Sequence, residues 1–205
     1  MCGIAGFVGT KNINFYEINK TLNIMHHRGP DAKGYKFFRE KKNICLLHTR
    51  LKILDLSNNA NQPYTFDGLN LVFNGEIYNF KELRKDLLKK GYNFKTSSDT
   101  EVLLKSFHCY GQNCVKRFEG MWSFAIWDNK NKKLFLSRDR FGEKPLYYFR
   151  NFENIYFGSE IKFIKSLHKN IFKKNDLLIR KNLFLGFKSI QKTNETFFKG
   201  IYSVP

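Results

Sequence analysis

Short apolar segments joined in pairs by polar turns restrict the fold of this chain more than any other feature. MWSFAIWD (121–128) and KLFLSRD (133–139) flank a turn of asparagine and lysine, and GYKFFRE (34–40) and NICLLHTR (43–50) flank two lysines. Such pairs are typical of β-hairpins. We therefore predict sheets that are mostly antiparallel.

The segments between these hairpins supply further strands and the helices. Strands are predicted at 3–9, at 69–79 with a turn at Asn74-Gly75, and in the pair 145–150 and 154–160. Apolar residues at helical spacing predict helices at 15–25, 80–91, 97–111, 160–167 and 175–187. The last residues, TFFKGIYSVP, show no evident structure. Because helices and strands do not alternate regularly, the predicted class is α+β.

Size and composition favour one folded domain. The 205 residues are 42% hydrophobic and include 22 phenylalanines, enough for a sizeable core. We place the domain at 2–165 and a C-terminal extension at 166–205. No apolar run approaches the roughly 18 residues of a membrane span, and the N-terminus does not read as a secretory signal. We therefore expect a cytoplasmic protein with no membrane contact.

The net charge of +18 raises the alternative of a nucleic-acid-binding protein. However, the 36 basic residues are spread along the whole chain, with no arginine-rich stripe and no RNA-binding motif. A general bias toward lysine and asparagine explains the charge, so we expect no nucleic-acid partner.

Cys2 directly follows the first methionine. Removal of Met1 would give this residue both a thiol and a free α-amine, which together are a nucleophile and its base. An α-amine has a pKa of about 7.7–8.0 and a thiol about 8.5, so the amine can accept the thiol proton near neutral pH. The other cysteines, Cys45, Cys109 and Cys114, lack metal-ligand spacing, and we expect no metal site.

A thiol that cleaves an amide needs hydrogen-bond donors for the negative charge that develops on oxygen. The Asn74 side chain and the Gly75 backbone N–H are candidates, although Asn-Gly is also the commonest hairpin turn. An amino-acid substrate needs a cation for its carboxylate, such as Arg50, and anions for its ammonium group, such as Glu76 and Asp99. Singly, Arg50 also fits a surface ion pair, Glu76 a solvated side chain and Asp99 a helix cap.

The combination of motifs is more specific than any one of them. The chain carries, in order, MCGIAGF, HHRGPD, HTRLKILDLS, NGEIYN, SSDTE, FEGMWSFAIWD and SRDRFGEKPLYY. Together they resemble the glutaminase domain of glutamine-hydrolysing asparagine synthetases, which are class II glutamine amidotransferases. The resemblance implies an N-terminal-nucleophile hydrolase fold, a four-layer αββα sandwich with two mostly antiparallel sheets.

The resemblance also implies a role for each matching residue. The catalytic residues would be the nucleophile Cys2 and the oxyanion-hole residues Asn74 and Gly75; glutamine would be bound by Arg50, Ile53, Glu76 and Asp99; and Arg28 would support the nucleophile.

Partners and cofactors follow from the same resemblance. Hydrolysis of glutamine to glutamate and ammonia needs no metal or organic cofactor. ATP and Mg²⁺ are expected only in a synthetase domain, whose SGGxDS signature is absent from these 205 residues. We expect glutamine as substrate and a synthetase domain or subunit that accepts the ammonia for asparagine synthesis or a related amidation, with a homodimer left open. The alternatives are a catalytically silent regulatory or assembly module and a relative that hydrolyses other amides.

Overall fold

Pairing between neighbouring apolar segments builds two antiparallel sheets in the computed structural model, which describes residues 1–169, 171–186 and 193–205. The strands are β1 (Gly3–Gly9), β2 (Ala32–Arg39), β3 (Asn43–Arg50), β4 (Tyr64–Phe66), β5 (Leu69–Ile77), β6 (Gly120–Asp128), β7 (Lys133–Arg138), β8 (Tyr147–Asn151), β9 (Asn154–Gly158) and β10 (Ile201–Ser203). The α-helices are α1 (Phe15–Met25), α2 (Phe80–Lys89), α3 (Asp99–Tyr110), α4 (Ile161–His168) and α5 (Asp176–Leu185).

The strand order places β1 and β5 inside their sheets. The larger sheet has the order β10-β8-β9-β1-β3-β2, and the smaller has the order β4-β5-β6-β7. β1 lies between β9 and β3, with Gly3 opposite Thr49. β5 pairs with β6 along its whole length but with β4 only at residues 69–71. One edge of β5 beyond residue 71 is therefore not covered by β4.

Three apolar clusters divide the structure into four layers. Alternate residues of a strand face opposite sides, so β1 directs Phe7 toward α1 and α4 and Ile4 toward the smaller sheet. The cluster between the two sheets also contains Val72 of β5. On the far side of the smaller sheet, Leu103 of α3 packs into the third cluster together with residues of α2.

Side-chain caps fix the beginnings of two helices. Asn14 and Glu17 form a capping box at α1, in which each side chain satisfies a backbone N–H of the other residue. The Ser98 hydroxyl accepts the N–H of Thr100 at the start of α3. This second cap orders the turn that contains Asp99.

This architecture confirms the predicted α+β class and the four-layer sandwich. Two local predictions are wrong. Asn74-Gly75 is not a turn, because pairing with β6 carries β5 through it to Ile77. The chain end is not without structure, because β10 pairs with β8. The helix predicted at 175–187 spans Asp176–Leu185, and Phe187 lies outside the described residues.

The boundary near residue 165 stays a prediction. Beyond it, Phe172 and Ile201 join the cluster on the helical side of the larger sheet. α5 buries Leu178 but leaves Leu183 and Phe184 exposed. Within the described ranges, none of the helices is both long and apolar enough to cross a membrane.

Candidate active site

Five segments of the chain meet around a small cavity of about 60 Å³. They are the start of β1, the end of β3, the loop that follows β3, the end of β5 and the first turn of α3. Six of the eight predicted site residues line this cavity: Cys2, Arg50, Ile53, Gly75, Glu76 and Asp99. Asn74 and Arg28 are not in its wall, but Asn74 precedes Gly75 in β5 and Arg28 contacts Cys2.

Cys2 stands immediately before β1, with its thiol directed at the end of β3. The N–H of Leu51 donates to the Cys2 sulfur at 3.4 Å. Burial raises the pKa of the thiol, and the Leu51 N–H and the charge of Arg50 partly oppose that rise. Because its pKa is raised, the thiol needs a base to become a thiolate at neutral pH. Met1, which precedes Cys2, is 52% exposed.

Arg28 contacts the backbone of Cys2. Its Nε donates to the backbone oxygen of Cys2 at 2.9 Å, and its Nη1 donates to the Glu160 carboxylate at 3.2 Å. Although burial raises the pKa of Glu160, hydrogen bonds from Lys162, His27 and Arg28 lower it to about 2. The ionised carboxylate fixes the guanidinium, which in turn fixes the carbonyl of Cys2.

The open edge of β5 presents three backbone N–H groups toward the cavity side. In an antiparallel pair, alternate residues direct their N–H and C=O groups away from the partner strand. On this edge, the Phe73 N–H donates to Gln62 Oε1 at 2.6 Å and the Ile77 N–H donates to Asp99 Oδ2 at 3.0 Å. By the same alternation, the N–H of Gly75 points from this edge, in a residue that lines the cavity.

Close packing surrounds both Asn74 and Gly75. A Cβ at Gly75 would lie 2.2 Å from the Met121 carbonyl oxygen, so only glycine fits against β6. Asn74 is 1% exposed, and its Nδ2 lies 3.4 Å from the Ser123 hydroxyl. The carboxamide is thus held at the sheet, on the residue that precedes Gly75.

Arg50 is buried at the end of β3 and holds the loop that follows. Its guanidinium donates to the backbone oxygens of Asp55 and Ser57 and to Asn61 Oδ1. Ile53 lies on this loop and is 66% exposed at the mouth of the cavity. A guanidinium has five N–H donors, so these three bonds leave two for a ligand.

Asp99 lines the same cavity as Arg50. It lies in the first turn of α3, where burial raises the pKa of its carboxyl to about 6, although hydrogen bonds from Ile77, Ser98 and Thr100 oppose the rise. The charge of Glu76, which also lines the cavity, adds to the increase. The cavity thus has one positive residue, Arg50, and three residues with carboxyl groups, Asp55, Glu76 and Asp99, in its wall.

Gln62 is a site residue that the sequence did not reveal. Its Oε1 accepts the Phe73 N–H, and its Nε2 lies 3.4 Å from the Thr100 hydroxyl. The residue also lines the cavity. One buried carboxamide therefore connects β5 to the first turn of α3. The surrounding NQPY carries no periodicity or charge that indicates such a role.

His48 makes a second connection to β5, from the larger sheet. Its Nε2 donates to the Phe73 carbonyl oxygen at 3.1 Å. Burial lowers the pKa of the imidazole to about 3, so the ring is neutral at physiological pH. In the sequence, the one feature that indicates a role for His48 is its position two residues before Arg50 on the same strand.

Across the described part of the chain, no three histidine, cysteine, aspartate or glutamate side chains are grouped so that they could hold an ion.

Comparison with known proteins decides the family. A family model described as a glutamine amidotransferase domain matches residues 1–205. The chain belongs to this family. A solved structure of glutamine phosphoribosylpyrophosphate amidotransferase from B. subtilis superposes with a TM-score of 0.65 at 20% identity, covering 82% of this chain and 44% of that one. At that identity the likeness concerns the fold, and it agrees with the predicted N-terminal-nucleophile sandwich.

Curated relatives of this amidotransferase domain are longer proteins. Putative asparagine synthetase [glutamine-hydrolyzing] 2 of Methanocaldococcus jannaschii is 41% identical over 195 residues, which are 86% of this chain and 37% of that protein. Asparagine synthetase [glutamine-hydrolyzing] 3 of Bacillus subtilis is 34% identical over 100% of this chain and 33% of its own length. The chain therefore spans about a third of these relatives, and the resemblance inferred from the motifs is confirmed.

The first prediction concerns Gln62. Gln62→Leu leaves the buried Phe73 N–H without its acceptor, and we expect a loss of about 1–3 kcal/mol in the free energy of unfolding. Urea titration followed by circular dichroism measures it. Gln112→Leu, the same change at an exposed position of the amidotransferase domain, should alter stability by less than about 0.5 kcal/mol. Equal transition midpoints for the two variants would show that the Gln62 bridge does not hold β5.

Proposed function

We propose that this amidotransferase domain hydrolyses glutamine to glutamate and ammonia, with Cys2 as the nucleophile once Met1 has been removed. The observation that carries the proposal is the convergence on one cavity of a thiol, a backbone N–H on an open strand edge, and groups of opposite charge. A thiol alone does not indicate a particular substrate, and neither does a pair of oppositely charged groups. Their combination fits a small substrate that has an amide at one end and an amino acid at the other.

The reaction proceeds through a thioester. The α-amine of Cys2 takes the thiol proton, and the sulfur adds to the amide carbon of the glutamine side chain. The resulting oxyanion accepts hydrogen bonds from the Gly75 N–H and the Asn74 carboxamide. The carbon–nitrogen bond then breaks, and the proton on the α-amine passes to the departing nitrogen, which leaves as ammonia.

Water completes the cycle. It adds to the thioester carbon as the now neutral α-amine takes one of its protons, and the same two donors hold the second oxyanion. The carbon–sulfur bond breaks, the sulfur regains the proton, and glutamate leaves. Each step uses groups of this chain alone, so we propose that hydrolysis needs no metal or organic cofactor.

Recognition of glutamine uses the charged groups of the cavity. The two remaining donors of Arg50 bind the α-carboxylate, and Glu76 and Asp99 accept hydrogen bonds from the α-ammonium. The backbone beside Ile53 closes the pocket, and Arg28 holds the Cys2 carbonyl so that the thiol keeps its direction. A ligand without both amino-acid charges would leave the two remaining donors of Arg50, or the carboxyl groups of Glu76 and Asp99, without a charged partner, which disfavours other amides.

The ammonia would serve asparagine synthesis or a related amidation. Support comes from the names of the two longer relatives, both of which are called glutamine-hydrolysing asparagine synthetases. We propose a synthetase domain or subunit as partner, in which ATP and Mg²⁺ would act. A cytoplasmic location and a homodimer are further proposals that accompany this reading.

The proposal predicts that activity depends on Cys2. Cys2→Ala removes the nucleophile and should lower the rate of glutamate release by about a thousandfold or more. Cys109→Ala changes another partly buried cysteine and should retain the rate. Coupled detection of glutamate and of ammonia measures both variants on chains whose N-terminal residue has been verified by mass.

Loss of activity in Cys2→Ala alone supports the nucleophile. Equal rates in the original chain and Cys2→Ala contradict it. No glutamate release from a chain that begins with Cys2 would instead favour the catalytically silent module.

A second prediction concerns pH and Asp99. A carboxyl with a pKa of about 6 is charged at pH 7 and mostly protonated at pH 5, where it no longer attracts the substrate ammonium. Glutamine should therefore bind Cys2→Ala about tenfold more weakly at pH 5 than at pH 7, as measured by calorimetry without turnover. Adding Asp99→Asn should weaken binding at pH 7 and flatten the pH dependence. A flat profile with Asp99 intact would remove Asp99 from the ammonium site.

A further inference from the structure

Lys144 carries a buried ammonium group that the proposed reaction does not use. The residue is 6% exposed and belongs to the motif SRDRFGEKPLYY, between β7 and β8. The Asp139 carboxylate accepts the backbone N–H groups of Phe141, Glu143 and Lys144. The Arg138 guanidinium donates to the Lys144 carbonyl oxygen at 3.1 Å. These bonds fix the loop, and with it the point from which the lysine side chain departs.

The ammonium of Lys144 is directed at the N-terminus of the chain. Its Nζ lies 3.2 Å from the sulfur of Met1, which is its one hydrogen-bonding partner within the ranges that the structure covers. A thioether is a weak acceptor, whereas an ammonium has three donors. A charge that is buried with so little compensation is costly.

Removal of Met1 would take this contact away. The covalent path from the methionine sulfur to the Cys2 nitrogen is short, so Nζ lies within about 10 Å of the α-amine that removal would create. In a partly buried site two charges at such a separation interact more strongly than in bulk water. Lys144 would then be a positive charge near the new terminus with no partner of its own.

Other charged groups lie near the terminus, and one ion pair forms among them. Arg28 and Arg50 bring positive charge close to Cys2, and Arg28 is paired with Glu160. The carboxyl groups on this side are Asp55, Glu76 and Asp99 in the cavity, Glu160 beside Arg28, and Asp139 and Glu143 in the loop of Lys144. Over the described residues, Lys144 has no carboxylate within ion-pair distance.

We propose that Lys144 is a positioning residue whose charge favours the neutral, proton-accepting form of the Cys2 α-amine. The inference rests on the proposed function, in which that amine is the base. A neighbouring positive charge disfavours protonation of an amine. At its ordinary pKa of about 7.7–8.0, most of the amine would be protonated at pH 7 and unable to take the thiol proton. Lys144 would increase the reactive fraction.

The amine can be titrated directly. The full chain, labelled with ¹⁵N-cysteine and released from a fusion so that Cys2 is the first residue, gives the pKa of the α-amine by NMR. Lys144→Met should raise that pKa by about half a unit or more. Lys144→Arg retains the charge and should leave it near the original value. Lys133→Met, at an exposed lysine of β7, should not change it.

Kinetics provide the second readout. The acid limb of kcat/KM for glutamine should move to higher pH in Lys144→Met by the same amount, and Lys144→Arg should restore it. If Lys144→Met does not fold by circular dichroism, Lys144→Gln takes its place in both measurements.

The two proposals fail separately. An unchanged amine pKa in the neutral variants overturns the role of Lys144, whether or not glutamine is hydrolysed. A shifted pKa in chains that release no glutamate supports the electrostatic effect and overturns the proposed function alone.

Discussion

The open edge of β5 is the constraint on which the rest of the site depends. β4 covers only residues 69–71, so the backbone groups beyond must find other partners. Gln62 accepts the Phe73 N–H and Asp99 accepts the Ile77 N–H, which brings the loop after β3 and the first turn of α3 to this edge. The Gly75 N–H lies between these two and faces the cavity. Backbone pairing therefore determines where an oxyanion could be held.

The double sheet brings Cys2 to that edge. β1 runs through the middle of the larger sheet, so the residue before it is held at the rim, next to the end of β3. The neutral, buried His48 connects the sheets by donating to the Phe73 carbonyl. Apolar packing between the sheets, with Ile4 opposing Val72, sets their separation. The cavity is thus a consequence of two sheets whose relative position is fixed by an apolar core and by polar bonds such as that of His48.

Local sequence patterns predicted most of the strands, the helices and six residues that line the cavity, but failed where long-range pairing outweighs local preference. Asn74-Gly75 has the composition of a turn, yet β5 continues through it and pairs with β6 before, at and after these two residues. The strand near Ile201 is only three residues long and forms by pairing with the edge of β8, which the local sequence does not reveal. Gln62 could not be predicted, since its role depends on an N–H group that is unpaired only in the folded sheet.

We propose that a thiol at the chain terminus lies in a pocket shaped for glutamine. Incubation with an electrophilic glutamine analogue, followed by intact mass measurement and peptide mapping, tests the three parts of that claim together. We predict one adduct per chain, on Cys2, with Met1 absent. Excess glutamine should protect the thiol from the analogue. An adduct on Cys109 at the same rate as on Cys2, or no adduct on a chain that begins with Cys2, would contradict it.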